Sequence, residues 1–502
     1  MIKYIDDRLG RITTYRLVLW VLIGLLGVAF LLSATGMLAY DPYALLFSTA
    51  FLVVACAATN WIFARVFEVP SNLESAYITA LILALIITPI QSFNDLWFLA
   101  WAAILAMASK YVLTARGKHL FNPAAFAVAL TYFTLNQSAS WWIGDAYMLP
   151  FVLVGGLLIA RRLRRFDLVL SFFAVALAAS AASGGSPILA LQRTVLYSPL
   201  AFFGFVFVTE PLTTPPTRRL RVIYGALVGF LFAPLVHVGS FYTTPELALL
   251  IGNLFSFIVS PKTTLALKLK GRVLLAPDTY EFIFSRPRKL AFAPGQYMEW
   301  TLGLQGPDSR GNRRYFTLAS APTENDLRLG IKFAKHSSSF KQAMLAMGKN
   351  DEIVASQLAG DFVLPEDPKQ PCVFIAGGIG VTPFRSMIQY LLDTHQRRRI
   401  TLFYASRSAG EIVYKPVFDR AERELGIRTV YTLTDTGNPP PNWEGRIGRI
   451  SPEWIQKLVP DYRGCRFYIS GPVSMVVDFQ RTLQRLGVPP GQIKTDYFPG
   501  LM

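Results

Sequence analysis

Arg313-Arg314-Tyr315-Phe316-Thr317-Leu318-Ala319-Ser320 and Val373-Phe374-Ile375-Ala376-Gly377-Gly378-Ile379-Gly380-Val381-Thr382-Pro383 decide how this chain of 502 residues is read. The first stretch has the pattern of a strand that holds a flavin: an arginine for a pyrophosphate, aromatics for a planar ring, and a hydroxyl for the ring's polar edge. The second reads as a strand that ends in a glycine turn and opens a helix, an arrangement that offers backbone N–H groups to a dinucleotide phosphate. Alone, each has a bland alternative, an ordinary barrel strand or a tight loop. It is their occurrence together, in this order, that points to hydride taken from a nicotinamide and released as single electrons.

Around these motifs the sequence is soluble in texture. Residues 267–275, 281–285, 298–302, 315–319 and 327–334 are short alternating runs, the pattern of strands in a small antiparallel barrel. After Pro371 the order becomes strand, helix, strand, helix, which predicts a parallel α/β nucleotide domain.

Before residue 262 the solvent changes. Ten apolar runs follow one another, at 17–32, 45–58, 78–87, 98–108, 124–133, 149–160, 168–182, 200–208, 222–236 and 247–259. Several fall short of the roughly 20 residues that a straight span needs, so tilted or broken helices are expected. The first run leads into further spans instead of a small-residue cleavage site, so no cleavable signal peptide is read. Fifteen basic residues, Arg161, Arg162, Arg164 and Arg165 among them, fall at alternate connections, against Arg193 alone on the other side. The positive-inside rule then places both termini in the cytoplasm and the chain in the inner membrane. The net charge of +17 is mostly topology, so lipid and not nucleic acid is the expected partner. Cys56, Cys372 and Cys465 are scattered, without the spacing of an iron–sulfur or zinc site, and no metal is expected.

The expected organisation is a polytopic α-helical membrane bundle of about ten spans (1–262), an antiparallel β-barrel flavin domain (263–368), and an α/β parallel-sheet nucleotide domain (369–502).

Residues 264–502 resemble the ferredoxin–NADP reductase superfamily, several motifs matching in order. Pro294-Gly295-Gln296-Tyr297 is similar to its barrel turn, and Arg314-x-Phe316-Thr317 to its Arg-x-aromatic-Ser/Thr signature. The resemblance implies FAD, with Arg314 on the pyrophosphate, Tyr315 and Phe316 as aromatic contacts, and Thr317 hydrogen-bonded near the ring nitrogen where hydride arrives. Ser338 and Ser339, opening a helix, take the second phosphate. Gly377, Gly378, Gly380, Thr382 and Pro383 match the nicotinamide-nucleotide turn. Ser406 and Arg407 stand where the family contacts the adenosine ribose or its phosphate, which leaves NADH and NADPH both open. Ser470-Gly471-Pro472 replaces the usual Cys-Gly-Pro beside the nicotinamide. Asp496-Tyr497-Phe498-Pro499-Gly500 is similar to the terminal aromatic segment over the flavin. Thr317, Ser470 and Phe498 are thus the candidate catalytic positions.

In the membrane half, Phe121-Asn122-Pro123-Ala124 and Thr209-Glu210-Pro211 resemble stretches of the flavin-bearing membrane subunits shared by sodium-pumping NADH:quinone reductase and the Rnf complex. There a threonine carries FMN through a phosphoester. Ser186, in Ser183-Gly184-Gly185-Ser186, holds that position, and FMN or riboflavin is the flavin the resemblance implies for this half. Asn122-Pro123 reads equally as a plain helix cap, and Glu210 as either a solvated carboxylate or a buried ion site. His119 and His237 fall at opposite ends of their spans and cannot clamp one haem, which excludes the ferric-reductase type.

These readings converge on a membrane NAD(P)H-dependent flavin oxidoreductase. Its electrons pass from FAD into a membrane flavin or quinone module, toward a quinone, an extracytoplasmic flavoprotein or other electron-transport subunits. The rivals are a redox-driven Na⁺ or H⁺ transporter subunit and a non-catalytic docking subunit.

Overall fold

The structure is a computed structural model that describes residues 12–67, 73–115, 118–183, 186–233, 235–238, 241–260, 264–285, 290–304, 308, 312–333, 337–435, 437 and 440–497. The chain divides into two compact units, Met1–Ser260 and Pro261–Met502.

The first unit is helical: α1 (Thr14–Ala34), α2 (Pro42–Val66), α3 (Leu73–Ile86), α4 (Leu96–Val112), α5 (Pro123–Leu135), α6 (Leu149–Leu163), α7 (Phe166–Ala181), α8 (Pro187–Leu196), α9 (Leu200–Phe202, continued by a π-turn over Phe203–Phe207), α10 (Arg218–Phe232) and α11 (Pro245–Val259). Each of the ten apolar runs falls largely within one of these helices. Among the described residues three segments, Thr14–Ala34, Pro42–Val66 and Phe93–Val112, are long and apolar enough to cross a membrane. Pro187–Leu196 with Leu200–Phe207, bent by 65°, makes a fourth if it is one broken span. The others are shortened by strong stop signals. Asn122-Pro123 and Thr244-Pro245 start helices sharply, and Asn136 and Arg164 end them in the left-handed conformation. α3 is buried nearly all round from Thr79 to Ile86, so it is the central helix. Outer helices turn large apolar side chains outward, Trp20, Leu31 and Val54 each more than 60% exposed. An apolar exterior of this kind suits lipid and not water.

α7 and α10 cross at backbone contact. A Cβ on Gly225 would lie 2.6 Å from the Leu168 carbonyl oxygen, and one on Gly229 would lie 2.5 Å from that of Phe172. Glycines four apart on one helix face permit this approach, which is how helices associate where lipid removes the hydrophobic drive.

The second unit holds two sheets. The antiparallel one comprises β1 (Thr264–Ala276), β2 (Thr279–Ser285), β3 (Tyr297–Thr301), β4 (Arg313–Thr317), β5 (Leu327–Lys332) and, after helix α12 (Ser339–Ala346), β6 (Glu352–Ala359), in the order β4-β3-β6-β1-β2-β5. A hydrogen bond of 2.9 Å from Ala319 N–H to the Arg328 carbonyl ties the chain after β4 to β5, joining the two edges at that end. Phe282, Phe284, Met298, Trp300 and Leu329 fill its inside, with Phe340 and Met344 of α12.

The parallel sheet is built from β7 (Cys372–Gly377), α13 (Thr382–Asp393), β8 (Ile400–Ser406), α14 (Lys415–Leu425), β9 (Arg428–Leu433), β10 (Arg446–Ile447), α15 (Pro452–Leu458), β11 (Arg466–Gly471), α16 (Val473–Arg485) and β12 (Ile493–Tyr497). Its order is β10-β9-β8-β7-β11-β12, all parallel. The chain steps outward from β7 on one side, then returns to start again on the other. The C-terminal ends of β7 and β11 therefore flank the switch point, where ligands of such sheets bind. β7 is buried at every position, as a central parallel strand covered on both faces must be.

Candidate functional site

At that switch point three glycines bring backbone against backbone. A Cβ on Gly380 would come within 2.5 Å of the Ser470 carbonyl oxygen and 2.6 Å of Gly471 Cα. On Gly377 it would lie 2.5 Å from Met475 Sδ. Gly378 differs: its φ of +54° is left-handed, and nothing lies within 4 Å of the place a Cβ would take. Its backbone faces open space. Thr382, with its hydroxyl on the Ile379 carbonyl at 3.2 Å, and Pro383 open α13 directly after the turn. The helix N-terminus and the free face of the turn make an anion site. Ser470 is fully buried at the end of β11, and its hydroxyl has no hydrogen-bond partner among the described residues. Pro472 caps α16 immediately after Gly471. Ser406 ends β8 in the interior and Arg407 emerges exposed beside it. Gly377, Gly378, Gly380, Thr382, Pro383, Ser470, Gly471 and Pro472 thus meet at one edge of the sheet.

The antiparallel lobe gathers a second set. β4 is an edge strand paired only with β3, and alternation sends Arg314 and Phe316 to one face. Both face α12: the Arg314 guanidinium lies 5.4 Å from the centre of the Phe340 ring, and the Phe316 ring lies 6.0 Å from it. Tyr315 turns to the other face, its hydroxyl donating to Glu299 Oε2 at 2.9 Å and its ring edge-on to Tyr297. The structure therefore separates Tyr315 from its neighbours in the motif. Thr317 is buried opposite Tyr297 in the β3–β4 register. Phe498 lies outside the described residues.

Ser338 is the N-cap of α12, its hydroxyl accepting from Lys341 N–H at 3.3 Å. Ser339 N–H donates to Asp308 Oδ2 at 3.1 Å, and Arg314 Nη2 lies 3.6 Å from Asp308 Oδ1. An arginine and a helix N-terminus therefore converge on one anionic group, here supplied by the chain itself. The donors that hold this carboxylate are the donors a flavin dinucleotide's pyrophosphate requires, so the residues present fit FAD. Asp308 escaped the sequence reading because a lone Asp in a polar loop carries no local signal.

In the helical unit Glu210 sits in a polar network. Its Oε1 lies 3.2 Å from His119 Nε2, and its Oε2 accepts from Asn122 Nδ2 and the Thr213 hydroxyl, both at 2.9 Å. Asn122 is the N-cap of α5, its backbone N–H bound to Asn253 Oδ1 at 2.8 Å. Asn253 in turn donates to the Tyr224 hydroxyl at 3.2 Å. The carboxylate complements the positive end of the α5 dipole. Sequence reading singled out Glu210, Asn122 and His119 separately; Asn253 and Tyr224 were invisible among apolar neighbours. His237 lies against Tyr242 in another part of the unit, at 4.8 Å between rings. Ser186 is exposed at the N-cap of α8 and makes no capping bond.

Among the described residues no cluster of His, Cys, Asp and Glu is placed to hold a metal ion. Burial pushes the Cys372 thiol up to about 12 and the Cys465 thiol up to about 11, so neither is a reactive thiolate.

Residues 374–481 match the family model of the oxidoreductase NAD-binding domain, and residues 138–264 match that of the NQR2, RnfD, RnfE family. Among curated proteins, a flavohemoprotein of Bacillus cereus (strain ATCC 10987 / NRS 248) is 29% identical over 219 residues, 41% of this chain and 53% of that protein. The F-type subunit of the Na(+)-translocating NADH-quinone reductase of Yersinia pestis (strain Pestoides F) is 28% identical over 200 residues, 37% of this chain and 49% of that protein. The chain thus spans about half the length of the curated relatives it matches. Solved structures include Amycolatopsis cytochrome P450 reductase GcoB, with a TM-score of 0.42 and 25% identity, covering 47% of this chain and 71% of that one. A Neisseria gonorrhoeae ferredoxin NADP+ reductase with bound FAD and NADP has a TM-score of 0.39 and 21% identity, covering 47% and 98%. The chain carries an oxidoreductase NAD-binding domain in its C-terminal half and an NQR2/RnfD-type segment in its N-terminal half.

Proposed function

We propose that the chain is a membrane-bound NAD(P)H-oxidising flavin reductase that passes electrons from a cytoplasmic FAD into a flavin- or quinone-binding membrane module. The observation that carries this is the convergence of Arg314 and the α12 N-terminus on one anion position, in the same unit as a glycine turn at a strand-order switch point. On this reading the unit divides into a flavin barrel, 263–368, and a nucleotide domain, 369–502. FAD, when bound, supplies the central chemistry: it accepts hydride from NAD(P)H, leaving NAD(P)⁺, and gives the electrons up one at a time.

The chain's own residues bind and orient. Arg314, Ser338 and Ser339 hold phosphate in place of Asp308, Phe316 lines the flavin, and Thr317 presents a buried hydroxyl. The face of the Gly378 turn and the start of α13 receive the nicotinamide nucleotide's phosphates, and Arg407 stands at its ribose end. Gly380 lets the turn close onto Gly471, beside Ser470, so that the nicotinamide is held without intervening water. In the helical unit, read as about ten spans with cytoplasmic termini, the exposed Ser186 hydroxyl can carry FMN by a phosphoester. The acceptor is a quinone, an extracytoplasmic flavoprotein or another electron-transport subunit.

Arg314→Ala in the full-length protein is expected to weaken FAD retention by about 1.5–3 kcal/mol, roughly ten- to a hundredfold, through loss of a charge-assisted contact. Flavin absorbance after gel filtration reads it. A folded wild-type chain that stays colourless when FAD is added sinks the proposal.

Ser470→Cys is expected to speed flavin reduction in stopped flow and change nicotinamide affinity little. The buried hydroxyl has no partner among the described residues, whereas a thiol there carries a smaller desolvation cost and fills the space better. Slower or unchanged reduction removes Ser470 from the reaction centre.

A further inference from the structure

The two lobes of the reductase unit are joined by a chain of alternating charges that belongs to neither ligand site. Arg385 lies in the first turn of α13, its side chain 8% exposed. One of its terminal nitrogens donates to the Ala319 carbonyl at 2.9 Å and also meets the Glu324 carboxylate; the other donates to Glu324 Oε1 at 3.0 Å. Glu324 Oε1 is also 3.2 Å from Arg328 Nε, and Arg328 Nη1 is 2.6 Å from Glu281 Oε2. The next residue of α13, Ser386, donates its hydroxyl to the Ser320 carbonyl at 2.7 Å. The helix that opens with the glycine turn is thus bolted, one turn in, to the backbone two and three residues beyond Thr317. Behind it β5 comes close: a Cβ on Gly330 would lie 2.8 Å from Thr382 Cγ2 and 3.3 Å from Ile379 Cδ1.

A buried ion pair adds little net stability, because desolvating two charges offsets most of their attraction. What a forked guanidinium–carboxylate contact does give is orientation, since both partners are planar and both bonds must form together. We propose that the Arg385–Glu324 pair is a positioning device: it fixes the glycine turn against the Thr317 strand and so sets the approach of nicotinamide to flavin, touching neither. This rests on the reductase reading above. Misplacing reacting atoms costs rate far more than affinity. The pair therefore governs turnover and leaves binding alone.

The test uses the full-length protein in detergent, with Arg385→Met, which keeps volume and removes the fork, and Arg385→Lys, which keeps charge alone. Arg385→Met is expected to slow flavin reduction by about tenfold or more, with the KM for NAD(P)H within about twofold and flavin content unchanged. Arg385→Lys is expected to recover part of the rate. Independently of turnover, amide hydrogen exchange in segments 319–328 and 378–387 is expected to rise in Arg385→Met while the unfolding midpoint stays near that of the wild type. An unchanged rate, or exchange that rises evenly over the unit as the midpoint falls, overturns the proposal. If Arg385→Met does not fold, Glu324→Gln decides by the same criteria. Wild-type protein that fails to oxidise NAD(P)H counts against the reductase reading, and the exchange measurement still decides whether the pair fixes the turn.

Discussion

Gly380→Ala is expected to lower kcat/KM for NAD(P)H oxidation by about a hundredfold or more while FAD remains bound. The added methyl would stand 2.5 Å from the Ser470 carbonyl oxygen, 2.6 Å from Gly471 Cα and 2.7 Å from Gly471 N. These are backbone atoms of the neighbouring strand end, with no rotamer to change, so the turn and β11 must part. Overpacking of this kind costs about 1–3 kcal/mol in stability. The larger loss is geometric, because displacing the nucleotide turn by even about 1 Å costs roughly two orders of magnitude in rate. The residues that fit FAD lie in the other lobe, so the flavin spectrum serves as the internal control. Gly378→Ala is the informative contrast. There the space is open and only the left-handed φ resists, at roughly 1 kcal/mol, so its effect is expected to be far milder. Steady-state kinetics on both variants decide the matter. A Gly380→Ala enzyme within about threefold of the wild type shows that the turn gives way freely and does not set the nucleotide position.

Gly229→Val is expected to drive α7 and α10 apart and to destabilise the helical unit by at least about 2–3 kcal/mol, with Gly225→Val close behind. At Gly229 a side chain meets the Phe172 carbonyl oxygen at 2.5 Å and Ala176 N at 3.1 Å. At Gly225 it meets the Ser171 hydroxyl at 2.2 Å and the Leu168 carbonyl oxygen at 2.6 Å. Lipid cannot compensate by collapsing onto the gap, because it is as apolar as the side chains it would replace. Thermal unfolding in detergent reads the loss. NAD(P)H-linked reduction of a soluble dye should survive, since the second unit has its own cores. Unaltered thermal stability in Gly229→Val removes the close crossing as a support of the bundle.

How much of this was legible beforehand differs from element to element. β7 and its glycine turn were read almost to the residue, because a continuous apolar run ending in Gly-Gly-x-Gly has a strong local cause. β6 was missed. Its sequence, Glu-Ile-Val-Ala-Ser-Gln-Leu-Ala, is poor in strand formers, and it is held by two partners, β1 and β3, both distant in the chain. Tyr315 was grouped with its neighbours as a flavin contact, yet strand alternation turns it to the opposite face. The glycine pair on α10 also passed unremarked, since spacing alone does not say which helix it faces.

By itself the sequence determined the local matters: where apolar runs need lipid, where alternation makes strands, where glycine turns open helices, and which residues carry phosphate chemistry. Each follows from neighbours a few positions apart. Tertiary structure alone decided that Asp308 bridges Arg314 and the α12 N-terminus, that Glu210 shares its carboxylate with His119, Asn122 and Thr213, and that Arg385 reaches Glu324 across the lobes. Those partners are brought together by folding, and a buried charge chooses its partner by what the packed chain leaves within about 3 Å, which no local pattern encodes.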